Sequence, residues 1–140
     1  MSVVDLVVEC TKAVGKLEDD DLKRGYAQRA RRFATDMFTL GPAYVVAVVA
    51  ARSSAEAVSA GATAPTCEEV VKVVAGTKGS TEEKSYAIYG AVLLYVLKKM
   101  GLVTKTDLSD IVLELQDPLL HFRAYQAAEW VKRMAEAYFK

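Results

Sequence analysis

Arg24, Arg31 and Arg32 are the residues whose type and spacing most suggest chemistry. They sit in LKRGYAQRARRFATDMFTL, residues 22 to 40, where five cations and no acid occur between Leu22 and Thr35. At 100° per residue, Leu22, Tyr26, Ala30, Phe33, Met37 and Leu40 form one apolar stripe, which Ala27, Ala34 and Phe38 widen. The three arginines turn away from that stripe and share their side with Gln28 and Thr35. Arg29 lies at its edge, and Lys23 is placed to run its stem along the apolar side and its ammonium outward. A guanidinium offers a planar fork of donors that matches two oxygens of one phosphate. The face therefore reads as a phosphate-contacting surface made by Arg24, Gln28, Arg29, Arg31 and Arg32, extended by Lys132 and Arg133 near the C-terminus. The competing readings are a solvated helix face and a contact with carboxylates of a protein partner.

The other candidates carry less. His121 is the one histidine and has no cysteine near it in sequence, so it reads as a partly buried side chain rather than a zinc ligand or a catalytic base. Asp107, Asp110, Glu114 and Asp117 place four carboxylates on one helical face. Such a face is most simply solvated; a divalent metal and a basic partner surface are the alternatives. GTKGST, residues 76 to 81, combines glycines, a lysine and a helix start, the ingredients of an anion nest, but lacks the full phosphate-loop pattern and follows no strand. It reads as a plain inter-helix loop. The seven tyrosines lie mostly in apolar stretches, which favours core packing over base stacking. No catalytic constellation, metal-ligand set, cofactor or small-molecule substrate is indicated, and the expectation is a noncatalytic protein.

The elements that must hold these residues are helical. Val3 to Leu17 keeps a helical period, Asp19 to Asp21 supply acceptors and negative charge at the start of the second helix, and Gly41-Pro42 ends it. The run after Pro42 is apolar all round as far as Arg52 and is read as one buried helix continuing through AARSSAEAVSA. GATAP, residues 61 to 65, is a loop. Thr66 with Glu69, and Ser80 with Glu83, have capping-box spacing and open two further helices, the second apolar on nearly all sides from Tyr86 to Leu97. Thr106 caps a helix over residues 107 to 115, and Asp117-Pro118 starts the last, whose stripe is Ala124, Ala127, Ala128, Val131, Met134, Ala135 and Tyr138. This predicts an all-α fold, a compact single-domain bundle of about six or seven helices spanning residues 1 to 140.

Composition agrees with that class. The 140 residues are 52% apolar, enough to bury a core, and 18 Lys plus Arg balance 18 Asp plus Glu, so only the distribution of charge bears on partners. Cys10 and Cys67 are read as separate small buried residues of a reducing compartment. The N-terminus carries Asp5 and Glu9 in its apolar region, unlike a signal peptide, and no apolar run is long enough to span a bilayer. A soluble, cytoplasmic protein without membrane contact is expected.

YAQRARRFATDMFTLGPAYVVAVVAARS, residues 26 to 53, resembles the basic helix, break and apolar helix near the start of the small subunit of Cmr-type (type III-B) CRISPR RNA-silencing complexes. FRAYQAAEWVKRMAEAY, residues 122 to 138, resembles that family's closing helix, with Tyr125, Trp130, Val131, Lys132, Arg133, Met134 and Ala135 at the places of its Tyr and its W-L-K-R-F-A stretch. The resemblance implies a noncatalytic helical subunit of an antiviral ribonucleoprotein. Several copies would stack along the larger guide-holding subunits and line the groove for target RNA. Its partners would be the other subunits, further copies of itself and target RNA. The alternatives are the small subunit of a type III-A complex and a protein-interaction module without RNA contact.

Overall fold

The computed structural model describes all 140 residues, and they form eight α-helices with no strand. In chain order these are α1 (Val3–Gly15), α2 (Asp20–Leu40), α3 (Pro42–Ala51), α4 (Ala55–Ser59), α5 (Cys67–Ala75), α6 (Thr81–Lys99), α7 (Leu108–Glu114) and α8 (His121–Phe139). The all-α expectation holds, with one helix more than the upper count.

The extra helix comes from Ser53 and Ser54. The Ser53 hydroxyl donates to the Val49 carbonyl at 2.6 Å, and the Ser54 hydroxyl accepts the Ala57 N–H at 3.1 Å, so one serine closes α3 and the next caps α4. Nor is α3 buried on every side: Tyr44, Ala47 and Ala51 are exposed. Residues 60 to 62 form a 3-10 turn rather than an open loop, and Gly61 and Ala62 are buried. Asp107, not Thr106, caps α7, its carboxylate accepting the Ser109 N–H at 3.2 Å. Pro118–Leu120 is a short 3-10 turn before α8.

The centre of the bundle is α6. A full capping box opens it, Ser80 and Glu83 each accepting the other's backbone N–H at 3.1 and 3.2 Å. Every residue from Ser85 to Leu97 is buried, the only arrangement that suits a helix apolar on all sides. Helix α2 packs between α6 and α8. Its stripe is buried at Leu22, Tyr26, Ala30, Phe33 and Met37, but Leu40 and Phe38, in the last turn, are 54% and 71% exposed. On α8, Tyr138 is likewise exposed and Met134 half-buried.

One bond was not anticipated. Cys10 on α1 and Cys67, the first residue of α5, form a disulfide across a sequence separation of 57, with their Cα atoms 5.2 Å apart. This corrects the reading of two separate thiols. The spacing in sequence carries no hint of it, because the packing of α1 on α5 brings the residues together. Beside it, Glu9 accepts the Cys67 N–H at 2.9 Å and the Tyr95 hydroxyl at 2.8 Å.

Four tyrosines, Tyr26, Tyr86, Tyr89 and Tyr95, are buried as core residues, whereas Tyr44 and Tyr138 are exposed. Burial pushes the Tyr26 and Tyr89 phenols far above their ordinary range. Tyr95 is pushed up to about 12 by burial and then by its bond to the Glu9 carboxylate. A phenol whose folded pKa is raised favours folding fully below its unfolded value near 10, and that contribution disappears as pH climbs towards the folded value. Stability should therefore fall steeply above about pH 10. Absorbance near 295 nm should show these three tyrosines ionising together with loss of helical signal; their ionisation in the still-folded protein would refute the expectation.

Candidate nucleic-acid interface

The arginine-bearing side of α2 divides between two neighbours. Asp19 caps the helix by accepting the Leu22 N–H at 3.1 Å, and the acids that follow fold back on the first-turn cations. Asp20 lies 3.3 Å from the Lys23 ammonium, and Asp21 accepts a hydrogen bond from the Arg24 guanidinium. Arg24 thus has a local acid, which corrects the picture of a face without counter-charge. Arg31 and Gln28 are exposed and make no ion pair or hydrogen bond.

Arg29 and Arg32 lean towards α6. Gly25, on the same flank, permits the close approach: a Cβ there would lie 2.8 Å from the Ser85 Cβ. With the helices this near, the half-buried Arg29 donates from Nε to the Ser85 hydroxyl at 3.2 Å and lays its guanidinium 4.1 Å from the centre of the Tyr86 ring. Arg32 donates from Nη1 to the Tyr86 hydroxyl at 3.4 Å, and its Nε lies 3.9 Å from Asp36. A residue not singled out from sequence joins them: Arg52, at the end of α3, lies 5.8 Å from the same ring. Cations over an aromatic face are attracted by its quadrupole, so the Tyr86 ring holds Arg29 and Arg52 while its hydroxyl takes Arg32, whose guanidinium lies 5.1 Å from the centre of the Phe33 ring. Nothing in the spacing of Arg52 from α2 could have signalled this, because it depends on where the Ser53-Ser54 break turns the chain.

On the opposite flank of α2, Phe38 meets Tyr125 of α8 with ring centres 5.3 Å apart, and Tyr26 meets Phe139 at 6.1 Å, so the two helices run antiparallel. One heptad back from Phe38 comes Arg31, and one heptad on from Tyr125 comes Lys132. That register puts both residues on the α8 side of α2, away from Tyr86. Arg133 is different: it lies 3.6 Å from Glu129 and 3.7 Å from Glu136, a neutralised cation.

The remaining candidates have local roles. Glu114 accepts the Thr104 N–H at 2.9 Å, the Lys105 N–H at 3.3 Å and the Thr104 hydroxyl. Burial raises its pKa, but those bonds together hold it below the usual carboxylate range. Asp107 and Asp117 are caps, so of the four acids Asp110 alone is without such a bond, and no three His, Cys, Asp or Glu side chains gather to hold a metal. The Glu83 carboxylate covers the N-terminus of α6, where a phosphate on the GTKGST loop would sit. His121 is exposed rather than partly buried, its ring set against Gly41.

These features define an all-helical bundle with a cluster of cations where α2 and the end of α3 meet α6. No family model, curated protein or solved structure matches the chain. No helix is long and apolar enough to cross a membrane.

Proposed function

We propose that the chain is a noncatalytic small subunit of a type III-B CRISPR ribonucleoprotein, stacking in several copies and lining the target-RNA groove. The observation that carries this is the gathering of Arg29, Arg32 and Arg52 at Tyr86. The Tyr86 cluster holds three cations against one paired acid, Asp36, and a polyphosphate strand is the natural complement. Cytoplasmic location belongs to this reading. A lasting disulfide there is the habit of intracellular proteins from hyperthermophiles, so the reading also expects a heat-adapted source.

Charge reversal tests it. Arg24→Glu, Arg31→Glu and Arg32→Glu together, in the assembled complex, should weaken RNA binding at least about 100-fold at low salt, and each lost phosphate contact should flatten the salt dependence by about one power. Unchanged RNA affinity would sink the RNA role.

A second reading, a protein-interaction module without RNA contact, is favoured by exposed apolar side chains: Tyr44 on α3, Leu113 on α7, and Phe122 and Trp130 on α8. Under it the same reversals would abolish assembly even when RNA is absent.

A further inference from the structure

Tyr86 is enclosed on the sides that a base would need. The residue is 3% exposed, and its ring has Phe33 edge-on with centres 6.0 Å apart and lies under the Arg29 guanidinium. It cannot serve as a stacking platform. What it does is fix cations drawn from separate segments, two from α2 and one from the end of α3. Long side chains give up rotamer freedom when ordered, and here part of that cost is met before any ligand arrives.

The donors left over define the ligand. Arg29 commits Nε to Ser85 and keeps both terminal nitrogens. Arg32 commits Nε towards Asp36 and Nη1 to the Tyr86 hydroxyl, keeping Nη2. Arg52 is 5.8 Å from the ring and has no hydrogen bond, so its whole fork is open. Asp36 is the one acid paired with the three cations, which leaves a net surplus of positive charge. Three guanidinium groups held at one side chain, each with free fork donors, suit the several oxygens of a tetrahedral anion better than a single carboxylate.

We infer that Arg29, Arg32 and Arg52, positioned by Tyr86, bind a backbone phosphodiester of single-stranded RNA. The inference rests on the reading of this surface as an RNA interface. It goes beyond that reading in assigning a defined phosphate clamp, with Arg52 as a binding residue and Tyr86 as a positioning residue.

The test uses the purified full-length chain, a labelled uridine homopolymer and a salt titration beginning at low ionic strength. Arg52→Ala removes an exposed side chain and should weaken binding about 5- to 10-fold while lowering the slope of log affinity against log salt by about 1. Arg52→Lys should restore the slope but not the full affinity, because the charge returns without the fork. Tyr86→Phe keeps the ring and the packing and removes only the hydroxyl that anchors Arg32; a loss of about 2- to 5-fold is expected. If Arg52→Ala leaves affinity and slope unchanged while Arg24→Glu with Arg31→Glu weakens binding, the clamp is overturned and the RNA surface stands. If none of these variants changes binding, or the wild type binds no RNA at low salt, both fall. If inorganic phosphate protects the wild type but not Arg52→Ala against thermal unfolding, while RNA affinity and salt slope are the same in both, the clamp belongs to free phosphate and the strand is overturned.

Discussion

Breaking the Cys10–Cys67 bond should lower the stability of the protein by about 4 kcal/mol, the loop-closure entropy returned to an unfolded chain when a bridge of this sequence separation, 57, is opened. For a chain of this size that corresponds to a fall in Tm on the order of 10 °C. Both cysteines are buried, so a reductant reaches the bond through local opening and reduction of the native protein should be slow. The helices should survive it, because α1 and α5 stay joined through the Glu9 carboxylate and the Cys67 N–H. Denaturation with and without reductant measures the effect, and a Cys10→Ala, Cys67→Ala double variant should lose the sensitivity altogether. Two thiols titrating in freshly isolated, denatured but unreduced protein would refute the bond.

The bond illustrates where a sequence stops speaking. Periodicity reports which side of a helix is buried, and on α2 it identified Tyr26, Phe33 and Met37 correctly because each faces a neighbour along most of its length. It does not report how far that neighbour extends, so Leu40 and Phe38, in the last turn, continue the period and are exposed. Capping chemistry was legible at Thr66 and Ser80, where a glutamate stands three residues on. At Ser53-Ser54 no glutamate completes a box and the apolar run on both sides masks the break. The helix that ends there leaves Arg52 5.8 Å from the Tyr86 ring. Arg29, seen from sequence as an edge residue, proved to be the cation most tightly held, at 4.1 Å from the ring. Its partner Ser85 lies 56 residues away, and only helix packing brings them into contact.

The same packing makes Gly61 the most sensitive position for a small substitution. A Cβ at residue 61 would fall 2.0 Å from the Ala91 carbonyl oxygen and 2.8 Å from its carbon, both backbone atoms of α6. No rotamer change relieves such a clash. Either α6 shifts, disturbing a helix buried from Ser85 to Leu97, or the 60–62 turn backs away and uncovers Val58 and Ala62. The Gly61 backbone conformation is itself open to alanine, so the close approach is the whole cost. Restricting the unfolded chain returns about 0.4–1 kcal/mol, against about 3 kcal/mol or slightly more for overpacking at a rigid site. Gly61→Ala should therefore destabilise the protein by about 2 to 3 kcal/mol, lowering Tm by several degrees, on the order of 5 to 10 °C. Gly15→Ala is the matched control, since a Cβ there meets only the Phe139 ring at 3.8 Å, an ordinary contact. It should leave Tm unchanged or raise it slightly. On the proposed RNA reading, Gly61→Ala should also weaken RNA binding at temperatures well below its Tm, because α6 carries Tyr86, the post that Arg29 and Arg52 share. Full RNA affinity in a clearly destabilised Gly61→Ala protein would mean that the turn yields and α6 holds its place.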